Sequence, residues 1–210
     1  MKGLLLKDIF TIEKQMRILF IIFAGFGLIP ASNMISFTLM YAVTISISSF
    51  GFDERAKWDR LMRMMPISGK TIVLSKYVLG YGFMAVVGSF ILIAQFIYHA
   101  FGVLNLSLAL YPIFVVNMLL MIATVLIAYA VLMPFIFKFG IEKGRLLFGI
   151  VFAALFLITT IPFSMMTLST SGARLMASPL FVWVVVFISF VVNVISIKLS
   201  QKFYSQNTNS

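Results

Sequence analysis

The sequence predicts an all-α membrane protein: six transmembrane helices, an N-terminal interfacial amphipathic helix and one cytoplasmic helix between the second and third spans. Three observations carry that expectation. Of the 210 residues, 62% are hydrophobic and only 10% charged, where a soluble domain is about one quarter charged. The apolar stretches are continuous, whereas strands of a transmembrane barrel alternate apolar and polar residues, so helices remain as the way to satisfy a backbone in lipid. The charges, finally, are confined to clusters between those stretches. The length suits a single transmembrane domain over residues 1–210.

The basic clusters set the order of the elements. Lys2, Lys7, Lys14 and Arg17 open the chain; Arg55, Lys57, Arg60, Arg63, Lys70 and Lys76 form a second group. Lys138, Lys143 and Arg145 make a third, and Lys198 and Lys202 a fourth, with Arg174 apart from them. Positive-inside bias explains this pattern and the net charge of +10 without nucleic acid as a partner. In residues 1–17, Leu5, Ile9, Ile12 and Met16 share a helix face that Lys7 and Lys14 avoid, as in a helix lying at the inner interface. A cleaved signal peptide fits poorly, because Asp8 and Glu13 stand in the leading segment and Ile29-Pro30-Ala31 is a poor cleavage sequence.

The uncharged run 18–52 would be roughly 52 Å long as one helix, against a hydrocarbon core of about 30 Å. A hairpin broken at Pro30-Ala31-Ser32-Asn33 resolves the excess and keeps the first two basic clusters on one side. Residues 77–137 hold two long helices turning outside at 101–107, with Pro112 opening the second. A fifth span covers 146–162, and the polar segment 164–178 reads as an outer loop. Pro179 opens a sixth span that ends near Lys198, followed by a cytoplasmic tail over 199–210. Both termini then lie in the cytoplasm, with every basic residue except Arg174.

Several chemistries drop out. Asp8, Glu13, Asp53, Glu54, Asp59 and Glu142 all fall in cytoplasmic segments, so no span offers the buried carboxylate that ion-coupled carriers use. The chain has no cysteine, and its one histidine, His99, sits near the outer end of a span, where an interfacial role outweighs a catalytic one. Ser68-Gly69-Lys70-Thr71 ends like a phosphate-binding loop, but Met64 stands where the first glycine belongs and no apolar strand precedes it. No catalytic, metal or cofactor site is expected, and any ATP and magnesium would be held by another subunit. Gln95, Asn117, Thr124 and Asn193 are the clearest polar side chains in the spans. They do not cluster, which favours interhelical hydrogen bonding over a polar pathway.

The longest inner loop carries the most information. Asp53 is the expected N-cap of a helix over 53–66, Asp53 and Glu54 suit its positive end, and Pro66 stops it. Trp58, Leu61, Met62 and Met65 follow i, i+3, i+4, i+7 spacing, flanked by Arg60 and Arg63. Periodicity alone fits equally a helix lying on lipid and one filling a groove on a cytoplasmic partner.

The stretch Phe52-Asp53-Glu54-Arg55, Trp58-Asp59, Leu61, Met64-Met65-Pro66-Ile67-Ser68, Ile72-Val73 and Ser75-Lys76-Tyr77 resembles the signature of small six-span permeases of the ABC-2 exporter family. The opening Met1-Lys2-Gly3-Leu4-Leu5-Leu6-Lys7-Asp8 is similar to the same group, as is a second inner loop over 134–145 with Lys138, Glu142, Lys143 and Arg145. Gly69 departs from the pattern, where arginine would be expected before Lys70. The resemblance implies that 53–66 is a coupling helix docking on a separate ABC ATPase, with Asp53, Glu54, Arg55, Trp58, Arg60, Leu61, Met62 and Met65 at the contact. It implies a second permease chain, identical or paralogous, and a place in the bacterial cell membrane. Relatives of this length export bacteriocins, lantibiotic-like peptides and phenol-soluble modulins, so amphipathic peptides are the implied cargo. The alternative is a non-transporting immunity or sensor component that binds a partner through the same helix.

Overall fold

The computed structural model describes residues 2–28, 32–58, 61, 64, 68–101, 115–116, 118–140, 150, 153 and 179–209. All of the expected fifth span but 150 and 153, the outer segment 164–178 with Arg174, most of the 101–107 turn, and Asn117, Glu142, Lys143 and Arg145 lie outside them. Five long helices make up the described chain: α1 (Lys2–Leu28), α2 (Ser32–Arg55), α3 (Gly69–Ala100), α4 (Met118–Gly140) and α5 (Pro179–Asn209). Among the described residues, three segments are long and apolar enough to cross a membrane: Gly69–Tyr98, Met118–Gly140 and Leu180–Gln206.

Helix boundaries depart from the expected ones in three places. The amphipathic opening and the apolar stretch after it form one helix, α1, because no proline interrupts the chain before Pro30. Leu4, Asp8 and Ile12 are its buried face. Next, α2 runs on to Arg55, so Asp53 stands in its last turn and is not the N-cap of a new helix. The Ala56 amide still donates to the Phe52 carbonyl at 3.0 Å, and Lys57, at φ 50°, ends the helix in the left-handed region. Finally, α4 passes through Pro134 and ends at Gly140, φ +76°, so residues 134–140 are helix and not inner loop.

Pro134 survives inside α4 for an identifiable reason. Its missing N–H frees the Ala130 carbonyl one turn back. The Ser196 hydroxyl of α5 donates to that carbonyl, so the freed group is satisfied from a neighbouring helix. At the other end of α3, Ser68 is an N-cap: its hydroxyl accepts from the Thr71 amide at 3.4 Å, and its carbonyl from the Thr71 and Ile72 amides. The Ser68-Gly69-Lys70-Thr71 sequence is therefore cap and first turn. A Cβ on Gly69 would come within 2.9 Å of the Tyr204 ring, which fills the space an arginine there would need.

Paired contacts fix the helix directions. Gly80 meets Tyr129 and Gly88 meets Ile122, so α3 and α4 are antiparallel. Leu126, Ala130 and Lys138 meet Asn193, Ser196 and Phe203 in the same order, so α4 and α5 are parallel. Lys76 touches Ser49 and Asp53 while Leu79 packs with Ile45, so α2 runs against α3. The main core lies between α2, α3 and α4, with Leu39, Val73, Tyr77, Ile91, Tyr129 and Met133 sealed inside it.

Candidate functional site

Two polar assemblies stitch the bundle, and one of them opens onto the inner loop. The first joins α3, α4 and α5. The Tyr77 hydroxyl shares hydrogen bonds with Ser196 and Ser200, and the Tyr81 hydroxyl donates to the Asn193 side chain at 2.8 Å. Asn193 Nδ2 donates in turn to the Leu126 carbonyl, at 3.2 Å. Tyr129 donates to the Lys76 carbonyl at 2.9 Å and lies 3.1 Å from Ser46. The rings of Tyr77, Tyr81 and Tyr129 sit 5.6–6.0 Å apart. Thr124 bonds back to its own helix, at the Leu120 carbonyl. Gln95 is buried, with no hydrogen-bond partner for Nε2 among the described residues. Of the four span residues singled out from the sequence, Asn193 is the one with an interhelical bond among the described residues.

The second assembly is a ring of four charges at the end of the bundle where α2 gives way to the loop. Lys76 Nζ lies 3.0 and 2.9 Å from the two Asp8 oxygens, 3.1 Å from Ser49 Oγ and 2.5 Å from Asp53 Oδ2. Lys7 Nζ lies 2.9 Å from Asp8 and makes a short contact with Asp53. Each carboxylate thus touches both ammonium groups, and the ring is neutral. Asp8 and Lys76 are only 2% and 5% exposed. Burying such ions costs several kcal/mol each, offset here because every charge has opposite neighbours and Lys76 gains a hydroxyl besides.

Asp53 also sits at the negative end of the α2 dipole, where a carboxylate is disfavoured, so its place depends on the two lysines. Lys7 reaches further, to 4.5 Å from the centre of the Trp58 ring. The ring thereby ties α1, α2, α3 and the loop together.

Of the residues expected at a docking surface, Asp53 lies within this ring, while Glu54 and Arg55 are exposed. Trp58 turns inward: it is half-buried against Leu4 and Ile72 and under Lys7, so it does not share an outward stripe with Leu61. Leu61 is 46% and Met64 83% exposed, both with helical backbone. Arg60, Met62 and Met65 lie outside the described side chains. Lys138 is exposed at the end of α4, 5.2 Å from the Phe203 ring and apart from the charge ring.

Reading charges as topology markers and caps missed the ring. A signal was nonetheless present. Asp8 continues the Leu4–Ile12 stripe and Lys76 the Ile72–Leu79 stripe, and a charge on an apolar stripe calls for a buried partner. A cavity of about 660 Å³ opens between α3, α4 and α5, lined mainly by apolar side chains such as Leu92, Leu119, Leu126 and Phe190, with Tyr81 and Asn193 among them.

Against known proteins, the family model described as ABC-2 family transporter protein matches residues 3–205. No curated protein and no solved structure matches the chain. The matched range runs from the first turn of α1 to the last turns of α5, and so takes in the charge ring, the inner loop and the tyrosine seam. The chain belongs to the ABC-2 transporter family, as a multi-pass membrane permease component of an ABC transporter.

Proposed function

We propose that this chain is the permease of an ATP-driven exporter in the bacterial cell membrane. It docks a separate ABC ATPase through the 56–68 loop, pairs with a second permease chain and moves amphipathic or antimicrobial-type peptides. ATP and magnesium bind to the ATPase. The docking assignment rests on one observation: the loop's anchor, Trp58, is committed to its own chain while Leu61 and Met64 remain exposed. Exposed apolar side chains on a short helix beside a rigid, charge-tied base fit the helix-in-groove mode of recognition.

Helix directions support six crossings. α4 and α5 run parallel, as a fourth and a sixth crossing would, and α1 and α2 form a hairpin whose ends meet at the Lys7–Asp53 contact. Both termini then fall on the side of the ATPase. The apolar cavity between α3, α4 and α5 is of the size that accepts apolar ligand groups, and that supports a peptide with one apolar face as cargo.

The test is Leu61→Asp with Met64→Asp. Membrane insertion is expected to persist, because neither residue lies in a described span. Anchors in a desolvated pocket contribute about 2 kcal/mol or more, roughly a thirtyfold loss of affinity, so the ATPase is expected to stop copurifying. An ATPase that stays bound, with export unchanged, would overturn the docking assignment.

A further inference from the structure

The loop that would receive the ATPase is joined to the bundle at two points, Asp53 on one side of the turn and Trp58 on the other, and Lys7 touches both. Any displacement of the loop therefore acts on Lys7 and Asp53 before it acts on Lys76 and Asp8, and through Trp58 on Leu4 and Ile72 besides. Burial is graded in the same order. The side chains of Lys7 and Asp53 are 23% and 16% exposed, against 6% and 3% for Lys76 and Asp8. The outer pair can move; the inner pair is sealed.

We propose that the Lys7–Asp8–Lys76–Asp53 ring is the joint through which movement of the 56–68 loop reaches α1 and α3, with Lys7 and Asp53 as its positioning residues. This rests on the permease reading above. The physical cause lies in charge balance. Asp53 stands at the unfavourable end of the α2 dipole, so the two lysines hold it in the ring against its own helix, and a loop drawn away by the ATPase withdraws it.

Withdrawal leaves two ammonium groups on the single carboxylate of Asp8. Like charges so close in a buried site repel strongly. Lys76 is held by Asp8, by Ser49 and by the packing of α3, whereas Lys7 is the more exposed. Lys7 is therefore the group expelled, and it carries the first turns of α1 with it. A loop movement becomes a rearrangement of α1 against α3.

Hydrogen exchange on the complex of this chain with its copurifying ATPase reads this directly, comparing the nucleotide-free state with one trapped by ATP and orthovanadate. In the wild type, trapping is expected to change exchange in the loop, in residues 2–12 and in residues 69–80. In Asp53→Asn and in Lys7→Met, the loop should still respond while the differences in 2–12 and 69–80 are lost. Asp53→Glu, which keeps the charge, should retain them. Both neutralised positions are the more exposed members of the ring, so the chain is expected to fold in each variant.

Differences in 2–12 and 69–80 that persist at wild-type amplitude in both variants would overturn the proposal. So would exchange raised equally in both states, the mark of a structural staple, or a wild-type response confined to the loop. A wild-type chain that binds no ATPase would remove the permease reading, and this proposal with it, before any variant is measured.

Discussion

Gly80→Ala tests the packing on which the whole bundle depends. A Cβ at Gly80 would fall on the Tyr129 hydroxyl oxygen and Cζ, far inside ordinary contact. Tyr129 has nowhere to retreat. It is 1% exposed, its hydroxyl is held by the Lys76 carbonyl and Ser46, and its ring stands edge-on to Tyr77 and Tyr81. Either α3 and α4 separate or the ring leaves its site. Overpacking costs about 1–3 kcal/mol, and the two hydrogen bonds lost add about 0.5–1.5 kcal/mol each. The sum is about 2–6 kcal/mol, or roughly 4–24 °C in Tm at about 2–4 °C per kcal/mol.

Thermal unfolding of the purified chain in nanodiscs measures this, with Gly88→Ala as the control. There a Cβ meets only Ile122 Cδ1 at 3.6 Å, an ordinary contact, and Tm should stay near the wild type. Tyr129→Phe should not rescue Gly80→Ala, because Cζ remains in the way, whereas Tyr129→Val should recover part of the loss. A Gly80→Ala chain that melts with the wild type would refute the α3–α4 contact described above.

Further expectations can be read from the same unfolding assay. Ser196→Ala removes the donor to the Ala130 carbonyl and a partner of Tyr77, and should cost about 1–3 kcal/mol. Pro134→Ala restores an N–H to that carbonyl and should recover part of this cost in the double variant; strict additivity would contradict the account of Pro134. Asp8→Leu alone should cost about 3–5 kcal/mol, and combining it with Lys76→Met should cost less than either single change, since Lys7 and Asp53 are left as a balanced pair. Gly69→Arg should destabilise unless Tyr204→Ala accompanies it, and an arginine that stabilises on its own would place Tyr204 elsewhere.

What was legible in the sequence, and what was not, divides along the reach of the forces involved. Continuous apolar runs are local facts, and they announce membrane helices; Pro30 likewise announces the break between α1 and α2. Elsewhere local rules are overruled by distant groups. Asp53 looks like an N-cap until Lys7 and Lys76 neutralise it at the end of α2. Pro134 ought by local rules to break α4, and Ser196 supplies the hydrogen bond it removes. The inward turn of Trp58 has the same origin, since its position is decided by Leu4, Lys7 and Ile72. Asp8 and Lys76 could be suspected from their apolar neighbours, but they stand 68 positions apart, and nothing in either neighbourhood names the other.

The bond from Ser196 to Ala130 bears on how the chain is made. The two residues are 66 positions apart, and α4 leaves the ribosome first. At about 5–20 residues per second, roughly 3–13 s pass before Ser196 is synthesised. Throughout that interval α4 carries a carbonyl with no donor, which bare lipid would penalise by several kcal/mol. The helix is therefore incomplete as a lipid-facing unit until α5 arrives. A single proline, kept inside α4, makes the arrival of α5 a condition for settling its middle.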